Sequence, residues 1–218
     1  MKSMKEKFMI EETCYIDSKS EYAALLTASC LKSLLSHFEG RYSELIVLCI
    51  GSDRVTGDSL GPLVGSMLKK TNPGNLFIYG TLDSPVHALN LAETLEGIRD
   101  FHPGSLCLAV DASLGTKKHQ GYITVSQGSL SPGAGVCKNL DVAGDICITG
   151  IVGPAGKFSQ LTLQTARLSA VFGLAERIAQ GISMACCGEA YEAPLTEPAW
   201  MPAGTWCDSR KADEFFWA

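Results

Sequence analysis

Two aspartates, Asp58 and Asp111, carry the chemistry that this sequence offers most clearly. Asp58 lies in Gly51 to Pro62, a polar loop bounded by glycines that follows one continuous apolar run and precedes a helix-like stretch. Asp111 closes a second apolar run, Leu106 to Val110. In parallel α/β sheets the loops beyond the carboxyl ends of the strands line the ligand crevice, so both carboxylates can reach one crevice if their strands are neighbours. Two carboxylates in a partly desolvated crevice cannot both ionise freely; one keeps a proton while the other accepts one from water. Asp58, beside a helix N-terminus, is the expected ionised partner because free amides and the helix dipole favour its charge. Asp111, approached by a wholly apolar strand, is the expected proton holder. On spacing alone an ordinary helix cap at Asp58 and a turn residue at Asp111 stay open. Asp53 and Arg54 read as loop supports that can form a local ion pair.

Other chemistries find no residues. The loop lacks the Lys-Ser/Thr ending of a phosphate-binding loop, Gly133 and Gly135 lack the third glycine of a dinucleotide site, and no G-x-S-x-G elbow occurs. His37, His87, His102 and His119 have no i, i+4 partner and read as surface residues, and no C-x-x-C pair exists. No cofactor and no metal are therefore expected. Nine cysteines in an odd, scattered set read as reduced thiols, with Cys49, Cys107 and Cys147 inside apolar runs where cysteine acts as a small hydrophobe. A net charge of -5 argues against a nucleic-acid partner, which needs a clustered basic face. No apolar run is long enough to cross a membrane, and the basic first ten residues lack the core of a signal peptide, so a cytoplasmic protein is expected.

The elements that must position the two aspartates follow from periodicity. Ser18 to Phe38 predicts an amphipathic helix, with Ser18 and Glu21 at capping-box spacing. Leu45 to Ile50 predicts a strand buried on both faces, and Leu76 to Tyr79 and Leu106 to Val110 predict two further strands, with a helix near Leu60 to Lys70 and another opening at Ser84 and Pro85. Strands alternating with helices imply crossover units and a largely parallel sheet covered on both faces. Gly121 to Val125 follows a turn too short for a crossover, so it predicts an antiparallel strand and a mixed sheet. Ile146 to Ile151 predicts a further strand, and Phe158 to Ala179 a last helix stopped near Gly181. Residues 18–182 thus read as one α/β domain of three layers, α/β/α. Residues 183–218, which hold Trp200, Trp206 and Trp217, read as a poorly ordered extension.

Gly57-Asp58-Ser59-Leu60-Gly61-Pro62 after an apolar strand, then Val110-Asp111-Ala112, then Pro132 to Val136, resemble in order and context the YyaC family of spore proteases. That family is similar to the germination protease that degrades small acid-soluble spore proteins, and more distantly to hydrogenase-maturation endopeptidases with a phosphorylase/hydrolase-like fold. The resemblance spans about Leu45 to Gly181. It implies a catalytic pair at Asp58 and Asp111, and a cleft bordered by Asp53, Gly57, Ser59, Gly133 and Gly135. It implies an aspartic-type endopeptidase of sporulation or germination in the forespore or spore core, acting on a protein or peptide such as the small spore proteins. No histidine matches the nickel-reading histidine of the maturation enzymes. A non-catalytic sporulation protein that binds a peptide in the same crevice is the second reading, and a metal-assisted amidase the third.

Overall fold

The apolar runs at Leu45, Leu106 and Ile146 become strands buried on both faces, because crossover helices cover each side of a parallel sheet, while the run at Leu76 forms a partly exposed edge strand. The computed structural model describes residues 13–71, 76–129 and 143–186. In chain order the elements are β1 (Cys14–Asp17), α1 (Ala23–Ser36), β2 (Leu45–Cys49), α2 (Leu60–Thr71), β3 (Leu76–Tyr79) and α3 (Leu91–Phe101). They continue with β4 (Leu106–Gly115), β5 (Tyr122–Gln127), β6 (Ile146–Pro154), α4 (Ser159–Gln164) and α5 (Leu168–Cys186). A 3-10 turn at Gly57–Ser59 leads directly into α2.

One six-stranded sheet runs in the order β1-β5-β6-β4-β2-β3. The four strands β3, β2, β4 and β6 are parallel, while β5 lies antiparallel between β1 and β6. The connection β2-α2-β3 moves outward, and β3-α3-β4 passes back over β2. Right-handed crossovers in opposite directions must lie on opposite faces. Accordingly Leu60, Val64 and Leu68 of α2 pack on one face together with Leu31 of α1 and Leu174 and Ile178 of α5. Leu91, Leu95 and Ile98 of α3 pack on the other, against Ile46, Leu48, Ile50 and Ala109. The architecture is three-layered α/β/α with a mostly parallel mixed sheet. Each fully buried Leu or Ile contributes roughly 1.5–3 kcal/mol, which the inner strands supply along their whole length.

Several boundaries differ from the sequence reading. The capping box at Ser18 and Glu21 does not form: the first helix starts at Ala23, and Ser18 instead donates its backbone N–H to the Gly121 carbonyl at the edge of β5. Ser84 and Pro85 do not open a helix. The next residue, Val86, forms a parallel bridge with Ile50, and α3 begins only after Asn90, which leaves Leu89 exposed. The single helix expected from Phe158 to Ala179 is two. Thr162 and Thr165 bond their hydroxyls to the carbonyls of Phe158 and Leu161 four residues back, a competition that bends helices, and α5 restarts at Leu168. Gly181 does not end α5: a Cβ there would meet Thr27 at 2.7 Å, so the glycine serves the close crossing of α5 over α1. The tryptophans of the extension and Pro132 to Val136 lie outside the described residues.

The thiols behave as core. Burial, with Asp145 adding, pushes the Cys107 thiol up to about 12, and burial also raises the Cys49 thiol. At the edge of the sheet His102 joins Glu44 (Nδ1 to Oε2, 2.7 Å) and Tyr79 (Nε2 to the hydroxyl, 2.9 Å). Removing the charge at one end weakens a partly exposed link, so Glu44→Gln is expected to cost about 1 kcal/mol in a urea unfolding experiment.

Candidate active site

The crossovers from β2 to β3 and from β3 back to β4 run in opposite directions across the sheet, and β4 pairs in parallel with β2, Cys49 opposite Val110, so the loop after β2 lies beside the part of β4 that runs on past it, where ligands of such sheets bind. Just past that pair the Ile50 N–H donates to the Val110 carbonyl at 2.7 Å, so Asp111 sits one residue beyond the last rung. The strand does not stop there. β4 continues to Gly115, and Asp111 lies inside it, opposite Thr149 of β6. Alternation along β4 sends Leu108 and Val110 toward α2 and α5, which directs Asp111, with Ala109, to the α3 side of the sheet. Its side chain is buried, and Oδ1 accepts the N–H of Ala112 at 2.7 Å.

Asp58 enters from the other rim. The loop after β2 turns through residues 52–56 and closes on itself, with the Ser52 N–H donating to the Asp58 carbonyl at 3.1 Å and the Asp58 N–H to the Val55 carbonyl at 3.0 Å. The 3-10 turn then presents Asp58, half-buried, next to the start of α2. Burial lifts the Asp58 carboxyl above its ordinary value, opposed by the Ser52 amide and by His87. Burial lifts Asp111 well above the ordinary value, and the Asp58 charge lifts it further, against the Ala112 amide. The charge of Asp58 thus bears on the buried carboxyl of Asp111.

The remaining residues expected at the cleft divide. Asp53 is exposed on the loop. Ser59 is buried and donates its hydroxyl to the Thr56 carbonyl at 2.7 Å, which stabilises the turn. Gly57 is buried beneath α4, where a Cβ would meet the Leu163 carbonyl oxygen at 2.8 Å. Gly133 and Gly135 lie outside the described residues.

The sequence reading missed two groups. Thr149 hydrogen-bonds Ser113 and Thr124, each at 2.8 Å, so a row of hydroxyls flanks Asp111 across β4, β6 and β5. These residues are spaced for one sheet face, but inside an apolar run a single threonine reads as a β-former rather than as a site. His87 reads as a surface residue in the sequence, whereas it is half-buried, its backbone N–H is held by Asn90 Oδ1 at 2.8 Å, and it opposes the burial that raises the Asp58 carboxyl. Among the described residues no group of three His, Cys, Asp or Glu side chains is arranged to hold a metal ion. No helix among them is long and apolar enough to cross a membrane.

Residues 15–181 match the model of DUF1256, a protein family of unknown function. The chain belongs to the DUF1256 family. It is 41% identical over 170 residues to a Bacillus subtilis (strain 168) relative, the uncharacterized protein YyaC, across 78% of this chain and 82% of that one. The kinship with YyaC read from the motifs is thereby established as a family relationship. Among solved structures it is similar to the NiFe hydrogenase maturation protease HycI of Thermococcus kodakarensis, with a TM-score of 0.46 and 18% identity over 70% of this chain and 98% of that one. The DUF1256 match encloses both aspartates and His87, from β1 into α5.

A stability consequence follows for this DUF1256 chain. A carboxyl whose folded-state pKa is raised contributes stability that is complete below its unfolded pKa and is lost as pH rises through its folded pKa. Asp111 is therefore a burden on the fold at neutral pH. Asp111→Asn, which keeps an oxygen for the Ala112 N–H, is expected to stabilise the protein at about pH 7 by on the order of 1 kcal/mol or more. Urea midpoints measured from the ordinary carboxylate range upward should fall with pH in the wild type and flatten in the variant.

Proposed function

We propose that this chain is a peptide hydrolase in which Asp58 and Asp111 share one water, and that it acts during sporulation or germination. What carries the reading is the pair itself: the Asp58 carboxyl from the turn that follows β2 and the Asp111 carboxyl from within β4, the second raised by burial and by the charge of the first. Groups whose environments push their titrations apart supply an acid and a base at the same pH. Ionised Asp58 takes a proton from water, and the hydroxide attacks the scissile carbonyl. The tetrahedral centre then collapses, the C–N bond breaks, and the proton on Asp111 passes to the leaving amine. Asp58 ends protonated and Asp111 ionised, and a proton transfer between them restores the starting state. The hydroxyl row beside Asp111 offers donors and acceptors to a peptide backbone lying along β4. The aspartic-type mechanism and the spore setting are supported by the likeness of Gly57 to Pro62 and Val110 to Ala112 to the germination protease motifs.

The test is to incubate the purified chain with small acid-soluble spore proteins and to read fragments by mass spectrometry, beside Asp58→Asn and Asp111→Asn. Fragments that depend on both aspartates and survive a chelator support the proposal. Fragments formed equally by the variants sink it, and binding without fragments favours a peptide-binding protein.

A further inference from the structure

Three hydroxyls lie side by side on the face of the sheet that Asp111 occupies. Ser113 follows Asp111 by two residues along β4, one repeat of the pleat, and so returns to the same face. Thr149 of β6 stands in register with Asp111 on one flank and with Thr124 of β5 on the other. Thr149 is buried, and its hydroxyl meets those of Ser113 and Thr124, each at 2.8 Å. A hydroxyl has a single proton to donate. Among the described residues Thr149 Oγ1 meets no third group, so it donates to one neighbour and accepts from the other. The row therefore runs in one of two directions. In one, Ser113 is left to accept and Thr124 to donate; in the other, Ser113 donates and Thr124 accepts. Both end hydroxyls are half-buried rather than sealed, so each keeps access to a ligand. Ser113 is also the last residue of β4 before its register with β6 slips, and such bulges gather beside functional sites, where they re-aim a side chain.

We propose that this row is a main-chain subsite for the leaving-amine half of an extended peptide, with Ser113 and Thr124 touching the peptide and Thr149 a positioning residue that sets their polarity. A peptide main chain offers one N–H and one C=O per residue, the pair that the two ends of the row answer in either direction. The row carries no charge, so it fits a neutral backbone rather than an anion or a cation. The repeat matches as well. An extended peptide and β4 both advance about 6.6 Å in two residues, so a peptide group at Asp111 places a neighbouring one over Ser113. The choice of half follows from strand order, since β2, which leads to Asp58, lies on one flank of β4, and β6 and β5 lie on the other. Water is activated at Asp58 and the amine leaves at Asp111, so the amine half lies on the β6 side. That last step rests on the hydrolase reading; the binding of a neutral main chain does not.

The experiment is a titration of the full chain with a capped, uncharged hexapeptide of alanine and glycine, followed by the Thr124 methyl signal in NMR, with mass spectrometry of the same samples for cleavage. It is repeated with each residue in turn replaced by its ester analogue, lactate or glycolate, which removes one N–H. In the wild type the signal should move saturably, and at one or two positions the ester should bind about fivefold more weakly, the worth of one hydrogen bond. In Thr149→Val the amide peptide should lose about fivefold and the ester nothing further, because the two changes act on one contact. Thr149→Ser, which keeps the hydroxyl, should restore both the affinity and the ester penalty. Ser113→Ala, at an end of the row, should match the valine variant and gives a second reading if that variant folds poorly. No saturable shift, no ester penalty, or a penalty that survives in both Thr149→Val and Ser113→Ala overturns the proposal. If the peptide is cut, the sensitive esters should lie C-terminal to the cut, and penalties confined to the acyl side overturn the assignment of the half. Thr149-dependent binding without fragments keeps the subsite and favours a peptide-binding protein over the hydrolase. Fragments that need both aspartates, with no ester coupling to Thr149, do the converse.

Discussion

Asp58→Asn and Asp111→Asn are each expected to lower peptide cleavage by about a thousandfold while the fold is retained, since a positioned acid or base contributes about 10²–10⁴ to the rate. The two losses should not add. Once Asp58 cannot take the proton of water, Asp111 has no developing amine to protonate, so the double variant should cleave no more slowly than the worse single one. The dependence on pH has a worked sign. Activity rises as Asp58 deprotonates and falls as Asp111 deprotonates, giving a bell whose two limbs belong to the coupled pair. Burial raises both carboxyls, so the acidic limb lies above the ordinary carboxylate range and the basic limb higher still. Initial rates on a spore-protein substrate across pH, with circular dichroism of each variant, check all of this. An acidic limb at the ordinary carboxylate position would mean that Asp58 is solvated and is not the base.

What was legible in the sequence was what burial writes twice. β2, β4 and β6 are apolar on both faces, so their runs stand out without any need for periodicity. The strand-loop-helix order then put Asp58 and Asp111 at the same, carboxyl end of the sheet, although only the pairing of β2 with β4 makes their strands neighbours. β1 escaped because a four-residue edge strand with Ile16 as its one buried residue carries almost no signal. His87 escaped for a different reason. Ser84 and Pro85 imitate the start of a helix, and a histidine on a helix of that phase would point to solvent. The bridge of Val86 to Ile50 overrides that local preference, and with the bond from the Gly51 N–H to the Val86 carbonyl it fastens the His87 segment to the start of the Asp58 loop. The local signal fails at the segment that serves the site, where a tertiary contact outweighs propensity.

Gly61→Ala is expected to destabilise the protein by about 3 kcal/mol, the upper range for overpacking, although it replaces a helical glycine by the best helix former. In an open helix the same change gains about 0.5–1 kcal/mol, because glycine loses more backbone freedom on folding. At Gly61 a Cβ would fall inside the contact radius of the Ile50 carbonyl oxygen and lie 2.8 Å from both the carbonyl carbon and the nitrogen of that residue. Backbone cannot swing aside as a side chain does. Ile50 is held by its bond to Val110 at 2.7 Å and by the bridge to Val86, so relief must come from lifting α2 off β2. The Asp58 turn runs straight into α2 and would move with it, and activity should fall with stability. Gly97 supplies the control, for a Cβ there, on α3, meets nothing within 4 Å, and Gly97→Ala should be stabilising. Urea unfolding of the two variants should therefore give shifts of opposite sign from one chemical change. If Gly61→Ala were as stable as the wild type, α2 would not approach β2 this closely, and the crevice that sets Asp58 against Asp111 would lose its floor.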